Sequence, residues 1–206
     1  MTTLVIETAT AACSVALIGD DGAVLAACHE IVGRGHAERL LPMIAELPGG
    51  GRADAILVDC GPGSFTGIRV GIAAARGLGL GWGVPTSGFS ALPLVAARAF
   101  ADRPDRSALA VVMEGGHGEV FVQAFDRSSG PRAPFASLTP AAALALLPAD
   151  LAIVGDGIRH LTAENRDLEA RHPAAADAWL LAPADRALAA TPIYGRAPDA
   201  KLPGTP

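Results

Sequence analysis

The apolar and polar positions divide the chain into short pieces whose period keeps changing. Three apolar runs come first: Leu4–Ile6, Ser14–Ile18 and Ala23–Cys28. Asp20-Asp21-Gly22, between the second and third, is a tight-turn signal, so the pattern predicts a strand and then a hairpin. From His36 to Leu47 the spacing turns helical, with Leu40, Leu41, Ile44 and Leu47 on one face, until Pro48 and three glycines stop it. Ala55–Cys60 reads as a continuous apolar strand, GPGSFTG (61–67) as a loop, and a second helix is expected from about Gly67 to Trp82. Val84-Pro85-Thr86 reads as a short extended piece, and Ser90 as the cap of a third helix reaching Phe100.

The pattern breaks at Ala101–Ser107, where Asp102, Arg103, Pro104, Asp105 and Arg106 cluster, and the domain boundary is placed there. Beyond it, Leu109–Met113 and Glu119–Asp126 read as paired strands around Gly115-Gly116-His117-Gly118. Thr139-Pro140 is a cap-and-first-turn signature for a short helix to Leu147. Leu151–Val154 reads as a buried strand, Ala174–Ala190 as an alanine-rich helix, and the segment from Thr191 as a proline-rich surface tail. Two units, residues 1–101 and a smaller 102–206, each mix hairpin strands with helices, which suggests a duplicated α/β unit.

Composition narrows the chemistry. With 206 residues, half of them hydrophobic, and a net charge of -5, the expectation is a folded, mildly acidic protein that does not grip nucleic acid through its overall charge. No apolar stretch is long enough to span a bilayer, and Glu7 interrupts the first apolar run, so the pattern predicts neither membrane span nor secretory signal. Cys13, Cys28 and Cys60 are odd in number, scattered and in strand-like runs, which fits reduced, buried thiols of a cytoplasmic protein. Lys201 is the single lysine, which argues against a phosphate-loop or Schiff-base lysine in the body of the fold.

The loop and the helix behind it hold the most specific pattern. A strand, a glycine-rich loop and a helix can present backbone N–H groups to an anion, with Gly61 and Gly63 permitting close approach and Ser64 or Thr66 capping the helix. The Lys-Ser/Thr ending of a phosphate loop is absent, and the glycines of a nucleophile elbow would fall on Pro62 and Thr66. In the helix, Gly67, Gly71, Ala75, Gly79 and Gly83 recur every fourth residue along one face. Interior glycine costs about 1 kcal/mol each relative to alanine, so close approach by another element should offset it. Two readings are open: packing inside the chain, or a helix–helix seam with another subunit, with Ile68, Ile72, Leu78 and Trp82 facing the core.

Several segments together resemble the TsaB family of bacterial tRNA threonylcarbamoyladenosine modification. They are LVIETATAACSVAL (4–17), HAERLLPMI (36–44), VDCGPGSFTGIRVGIAAARG (58–77) with GFSAL (88–92), GEVFVQAF (118–125) and TPIYGRAPDAKLP (191–203). The resemblance implies an actin/sugar-kinase/Hsp70-like (ASKHA) fold of two duplicated mixed-sheet α/β lobes. It implies a non-catalytic partner of a TsaD-like catalytic paralogue, joined by a TsaE-like ATPase, that meets tRNA only indirectly and self-associates as a homodimer when alone. Family members pair through their first two helices, which implies an interface at His36, Leu40, Ile44, Gly67, Gly71, Ala75 and Gly79. It leaves a nucleotide at the subunit interface open, and makes Glu7, Thr8, Gly61, Gly63, Ser64 and Thr66 the remnant of a phosphate loop.

The departures bear on catalysis. No two of His29, His36, His117, His160 and His172 stand four apart, so the His-x-x-x-His metal pair of TsaD-like enzymes has no counterpart and no metal site is expected. Glu7 occupies the place where many relatives have aspartate. The rival readings are an ASKHA-fold ATPase or small-molecule kinase, weakened by Glu7 and the missing lysine, and a glycoprotease-like peptidase around His117 and Glu119, which lacks a metal triad or activated nucleophile. His36 and Glu38 invite a deaminase reading, but the Pro-Cys-x-x-Cys partner is missing.

Overall fold

A computed structural model describes residues 1–163 and 166–195; Lys201 and the rest of 196–206 lie outside the described residues. The opening runs form β1 (Thr2–Glu7), β2 (Ala12–Gly19) and β3 (Val24–Ile31), an antiparallel meander. Helix α1 (His36–Glu46) leads to β4 (Ala55–Asp59), which pairs parallel with β1; helix α2 (Phe65–Trp82) crosses over to β5 (Thr86–Phe89), parallel to β4. The first sheet therefore runs β3-β2-β1-β4-β5. Helix α3 (Ala91–Asp102) then carries the chain to the second sheet.

There, β6 (Ala108–Gly116) and β7 (Glu119–Asp126) form the predicted hairpin, and β7 also pairs with the short β8 (Gly130–Pro131) and β9 (Ala136–Leu138). Helix α4 (Pro140–Leu146) is capped by Thr139, whose hydroxyl accepts from Ala142 N–H at 3.4 Å. Next, β10 (Ile153–Val154) pairs parallel with β6, and β11 (Leu168–Glu169) parallel with β10. Counting β8 and β9, which both pair with β7, as one edge strand, both sheets have the order 3-2-1-4-5: an antiparallel meander followed by parallel strands. The duplication suggested by the sequence is present in the strand order.

One core runs through both sheets. Leu4, Ile6, Met43 and Ile68 of the first lobe pack in the same cluster as Leu92, Val95 and Phe100 of α3 and Leu109, Val111 and Phe121 of the second. On the other face of the first sheet, Val5, Ile18, Leu57 and Phe89 pack with Leu94, Ala175 and Ala178.

Two local expectations need correction. The segment 174–190 is not one helix but two 3-10 turns, Ala175–Leu180 and Pro183–Arg186. Pro183 supplies no N–H and holds Ala182 in the extended region, which ends helical pairing whatever the alanine content. These turns lie against the first lobe: Ala175 N–H donates to Ser14 Oγ at 3.0 Å, and Gly88 and Leu188 form a bridge. Ser90 does stand at the start of α3, but its hydroxyl donates to the Gly61 carbonyl at 2.7 Å instead of capping, tying α3 to the loop.

Candidate functional site

The corner where β1 and β4 end is where the glycine-rich loop would place a phosphate, and its groups turn inward. Ala9 N–H donates to Glu7 Oε1 and Gly61 N–H to Asp59 Oδ1, each at 2.7 Å; Glu7 Oε2 and Asp59 Oδ2 are buried without a partner among the described residues. Both residues are 0% exposed. Burial, then the neighbouring Asp59 carboxyl, push the Glu7 carboxyl well above the usual carboxylate range, and burial does the same to Asp59. Thr8 is equally buried and donates its hydroxyl to the Gly67 carbonyl at 2.8 Å.

Two more of the loop's N–H groups are engaged. Ser64 N–H donates to the Ala9 carbonyl at 2.7 Å, and Ser64 Oγ accepts from Gly67 N–H at 3.2 Å as the α2 cap. Gly61 has φ 97°, and a Cβ on Gly63 would strike the Ala9 carbonyl oxygen. Thr66 is exposed and does not join the group. The corner does not fit a nucleotide's metal-bridged phosphates. Two carboxyls sealed from solvent and driven toward protonation cannot serve them, and the N–H groups of Gly61, Ser64 and Gly67 are already bonded to the chain.

The glycine stripe also faces inward. A Cβ on Gly67 would collide with the Thr8 carbonyl, on Gly71 with Thr8 Oγ1 and on Gly79 with Thr86 Oγ1; Ala75 is 0% exposed between them. Helix α2 therefore lies directly on β1, β4 and β5. His36, Leu40 and Ile44 are buried too, with His36 Nε2–H donating to the Ala12 carbonyl at 2.9 Å. All seven residues expected at a subunit seam are packed inside their own chain: a period of four selects a helix face without saying what covers it.

The opposite face of the same helices is open. Along α2, Phe65, Arg69, Arg76 and Leu80 lie on the solvent side, with Leu80 87% and Phe65 57% exposed; on α1, Leu41 is 53% exposed. Arg69 is set in place: its guanidinium lies 3.4 Å over the Phe65 ring, and its Nε and Nη2 donate to Tyr194 Oη at 3.1 and 2.8 Å. Phe65 and Tyr194 rings are 5.7 Å apart. The spacing of Phe65 and Arg69, one turn apart, was the signal for this cluster; the contribution of Tyr194, far along the chain, had none.

Between the lobes, Asp156 accepts from Glu114 N–H at 3.1 Å, and His172 Nδ1 lies 3.7 Å from Asp156 Oδ2 and 3.3 Å from Thr10 Oγ1. No sequence pattern joined these residues. Of the residues weighed for other chemistries, Glu119 accepts the Ser137 hydroxyl at 2.6 Å, and Glu38 is exposed while His36 is buried.

A duplicated 3-2-1-4-5 sheet with a strand–loop–helix corner at the first lobe defines an actin/sugar-kinase/Hsp70-like protein. A family model described as "TsaD: tRNA N6-adenosine threonylcarbamoyltransferase" matches residues 28–133, just over half the chain, and the chain belongs to that family. It is 40% identical over 132 residues to the Escherichia coli K12 "tRNA threonylcarbamoyladenosine biosynthesis protein TsaB", covering 62% of this chain and 56% of that one. A Haemophilus influenzae protein of the same description is 40% identical over 107 residues, 48% of this chain and 44% of its own. The chain thus spans about half the length of these curated relatives. Among solved structures, "an uncharacterized protein with similarity to peptidase YEAZ" from Pseudomonas aeruginosa superposes with a TM-score of 0.77 at 28% identity, covering 95% of this chain and 99% of that one. Among the described residues no helix is long and apolar enough to cross a membrane.

Proposed function

We propose that this chain is a non-catalytic partner subunit in tRNA threonylcarbamoyladenosine formation. It docks a TsaD-like catalytic paralogue through the outer faces of α1 and α2, and a TsaE-like ATPase joins the pair. The observation that carries the reading is the two-sidedness of α2. Its glycine face is used up on its own sheet, while Phe65, Arg69, Arg76, Leu80 and the neighbouring Leu41 stay exposed. Exposed apolar side chains beside a preset arginine are the composition of an interface hot spot. The closed Glu7–Asp59 corner supports a supporting role over phosphoryl chemistry. With a net charge of -5, tRNA contact falls to the partner. Alone, the same face can meet a second copy as a homodimer.

The test is threonylcarbamoyl transfer to tRNA by the TsaD-like and TsaE-like proteins of the same source, with and without this chain. Transfer is expected only when the chain is present. Equal transfer without it would reject the proposal, as would ATP hydrolysis by the chain alone that Glu7→Ala abolishes.

A further inference from the structure

The face of the first sheet away from α1 and α2 is covered by α3 and by the turns Ala175–Leu180 and Pro183–Arg186. At the N-terminal ends of the parallel strands β1, β4 and β5 this cover leaves a cleft of about 170 Å³. Thr3, Ala55 and Ser87 form its floor, and Trp179, Pro183 and Arg186 its wall.

Arg186 is the feature that asks for a ligand. Its guanidinium lies 4.3 Å over the Trp179 ring, and its Nε–H is buried without a hydrogen-bond acceptor among the described residues. The buried Arg106 has Asp167 at 3.0 Å and Glu169 at 3.4 Å; Arg186, only partly buried, has no ion-pair partner among the described residues, and desolvation pulls its pKa down. An unmet buried donor is costly, and more so when charged. The cation–π contact offsets part of that and leaves the N–H unmet. Neither Thr3 nor Ser87 is buried, and both carry hydroxyls on this floor.

We propose that this cleft binds a small organic monocarboxylate, its oxygens on the Arg186 guanidinium with Thr3 and Ser87 as supporting donors, and its apolar end against Trp179 and Ala55. The planar fork of arginine suits a carboxylate. One cation, with no second one lining the cleft among the described residues, matches a single negative charge better than a phosphate dianion. The volume is below the roughly 300 Å³ at which drug-sized pockets begin, so the ligand has only a few carbons. The site is separate from the α1–α2 face and stands or falls independently of it.

The chain holds two tryptophans, and a Trp82→Phe background leaves Trp179 as the reporter. Sodium propionate, titrated at constant ionic strength, is expected to change Trp179 emission saturably and to raise the melting temperature. Arg186→Gln should weaken the apparent affinity at least tenfold. Thr3→Val, which keeps strand propensity and shape, should weaken it severalfold. A response linear in propionate, or undiminished in Arg186→Gln, overturns the site, and phosphate saturating as readily as propionate overturns the carboxylate assignment. Should Arg186→Gln fail to fold, an undiminished affinity in Thr3→Val refutes the proposed geometry by itself.

Discussion

In the first lobe the strand after the meander, β4, leads into the 18-residue helix α2; in the second the corresponding strand, β10, leads through Gly155 into one 3-10 turn, Asp156–His160. Both crossings press onto their sheets at glycine: a Cβ on Gly67 would strike the Thr8 carbonyl, and one on Gly157 would crowd the Met113 backbone. The turn covers strand and ends there. The helix covers strand with one face and still presents Phe65, Arg69, Arg76 and Leu80 on the other. Equal topology therefore yields one lobe with a surface to offer and one that supports it. The difference lies in how much helix follows the fourth strand.

The largest effects should come from exchanging the two faces of α2. Gly71→Leu drives a side chain into the buried side chains of Thr8, Val58 and Ile6, where the helix lies on its sheet, and should cost about 3 kcal/mol or more, read as a fall in melting temperature or a loss of soluble protein. The comparable change in the second lobe, Ala143→Leu on α4, meets the side chains of the third core cluster on a helix of only seven residues, and should cost about 1–2 kcal/mol. Equal losses at the two sites would mean that the helices are equally constrained. Leu80→Glu, on the open face, should leave the melting temperature unchanged and weaken pairing with the TsaD-like protein about a hundredfold, or ~2.7 kcal/mol. Unaltered co-elution on size exclusion would place the docking surface elsewhere.

Much of the first lobe is legible in the chain. The apolar runs of β1–β3 and β4 and the helical period of α1 are local signals, and local signals survive folding. In the second sheet, β8, β9 and β11 are two or three residues long and exist because β7 or β10 lies beside them, so no periodicity could announce them. The stripe Gly67, Gly71, Ala75, Gly79 was visible as a face; that a strand lay under it depended on Thr8 and Thr86, from different parts of the chain. The Glu7–Asp59 corner was hidden for the same reason. Each acid looks ordinary in its strand, and only the parallel pairing of β1 with β4 brings both strand ends to one buried place.

That corner sharpens the comparison through pH. Glu7 and Asp59 titrate above their unfolded values because burial disfavours their charge. Their stabilising contribution is therefore complete below about pH 4, where the unfolded carboxyls are also protonated, and is lost as pH rises through the folded values. Glu7→Gln keeps an acceptor for Ala9 N–H and removes the ionisation. Its melting temperature should exceed that of the parent at pH 8, by less than the losses above, and the gap should close toward pH 4. In the second lobe Asp156 is also raised by burial, but His172 beside it favours its charge, so Asp156→Asn should give a flatter pH difference. A Glu7→Gln gap that widens toward low pH would show that Glu7 is held ionised.

The smallest effects belong to two capping hydroxyls, one in each lobe. Ser64 Oγ accepts from Gly67 N–H at 3.2 Å, and Thr139 Oγ1 from Ala142 N–H at 3.4 Å. Losing such a cap costs about 0.5–2 kcal/mol, most where the freed N–H cannot find water. Gly67 is buried under the Thr8 carbonyl, whereas Ala142 is exposed and water can replace the hydroxyl. Ser64→Ala should therefore fall near ~1 kcal/mol and Thr139→Ala near ~0.5 kcal/mol, compared by urea unfolding at a common slope. Ser64→Ala should also loosen the start of α2, where Phe65 and Arg69 are set, so pairing should weaken severalfold while Thr139→Ala leaves it alone. If both caps cost the same and neither touches pairing, then α2 is held by its sheet contacts without help from its first turn.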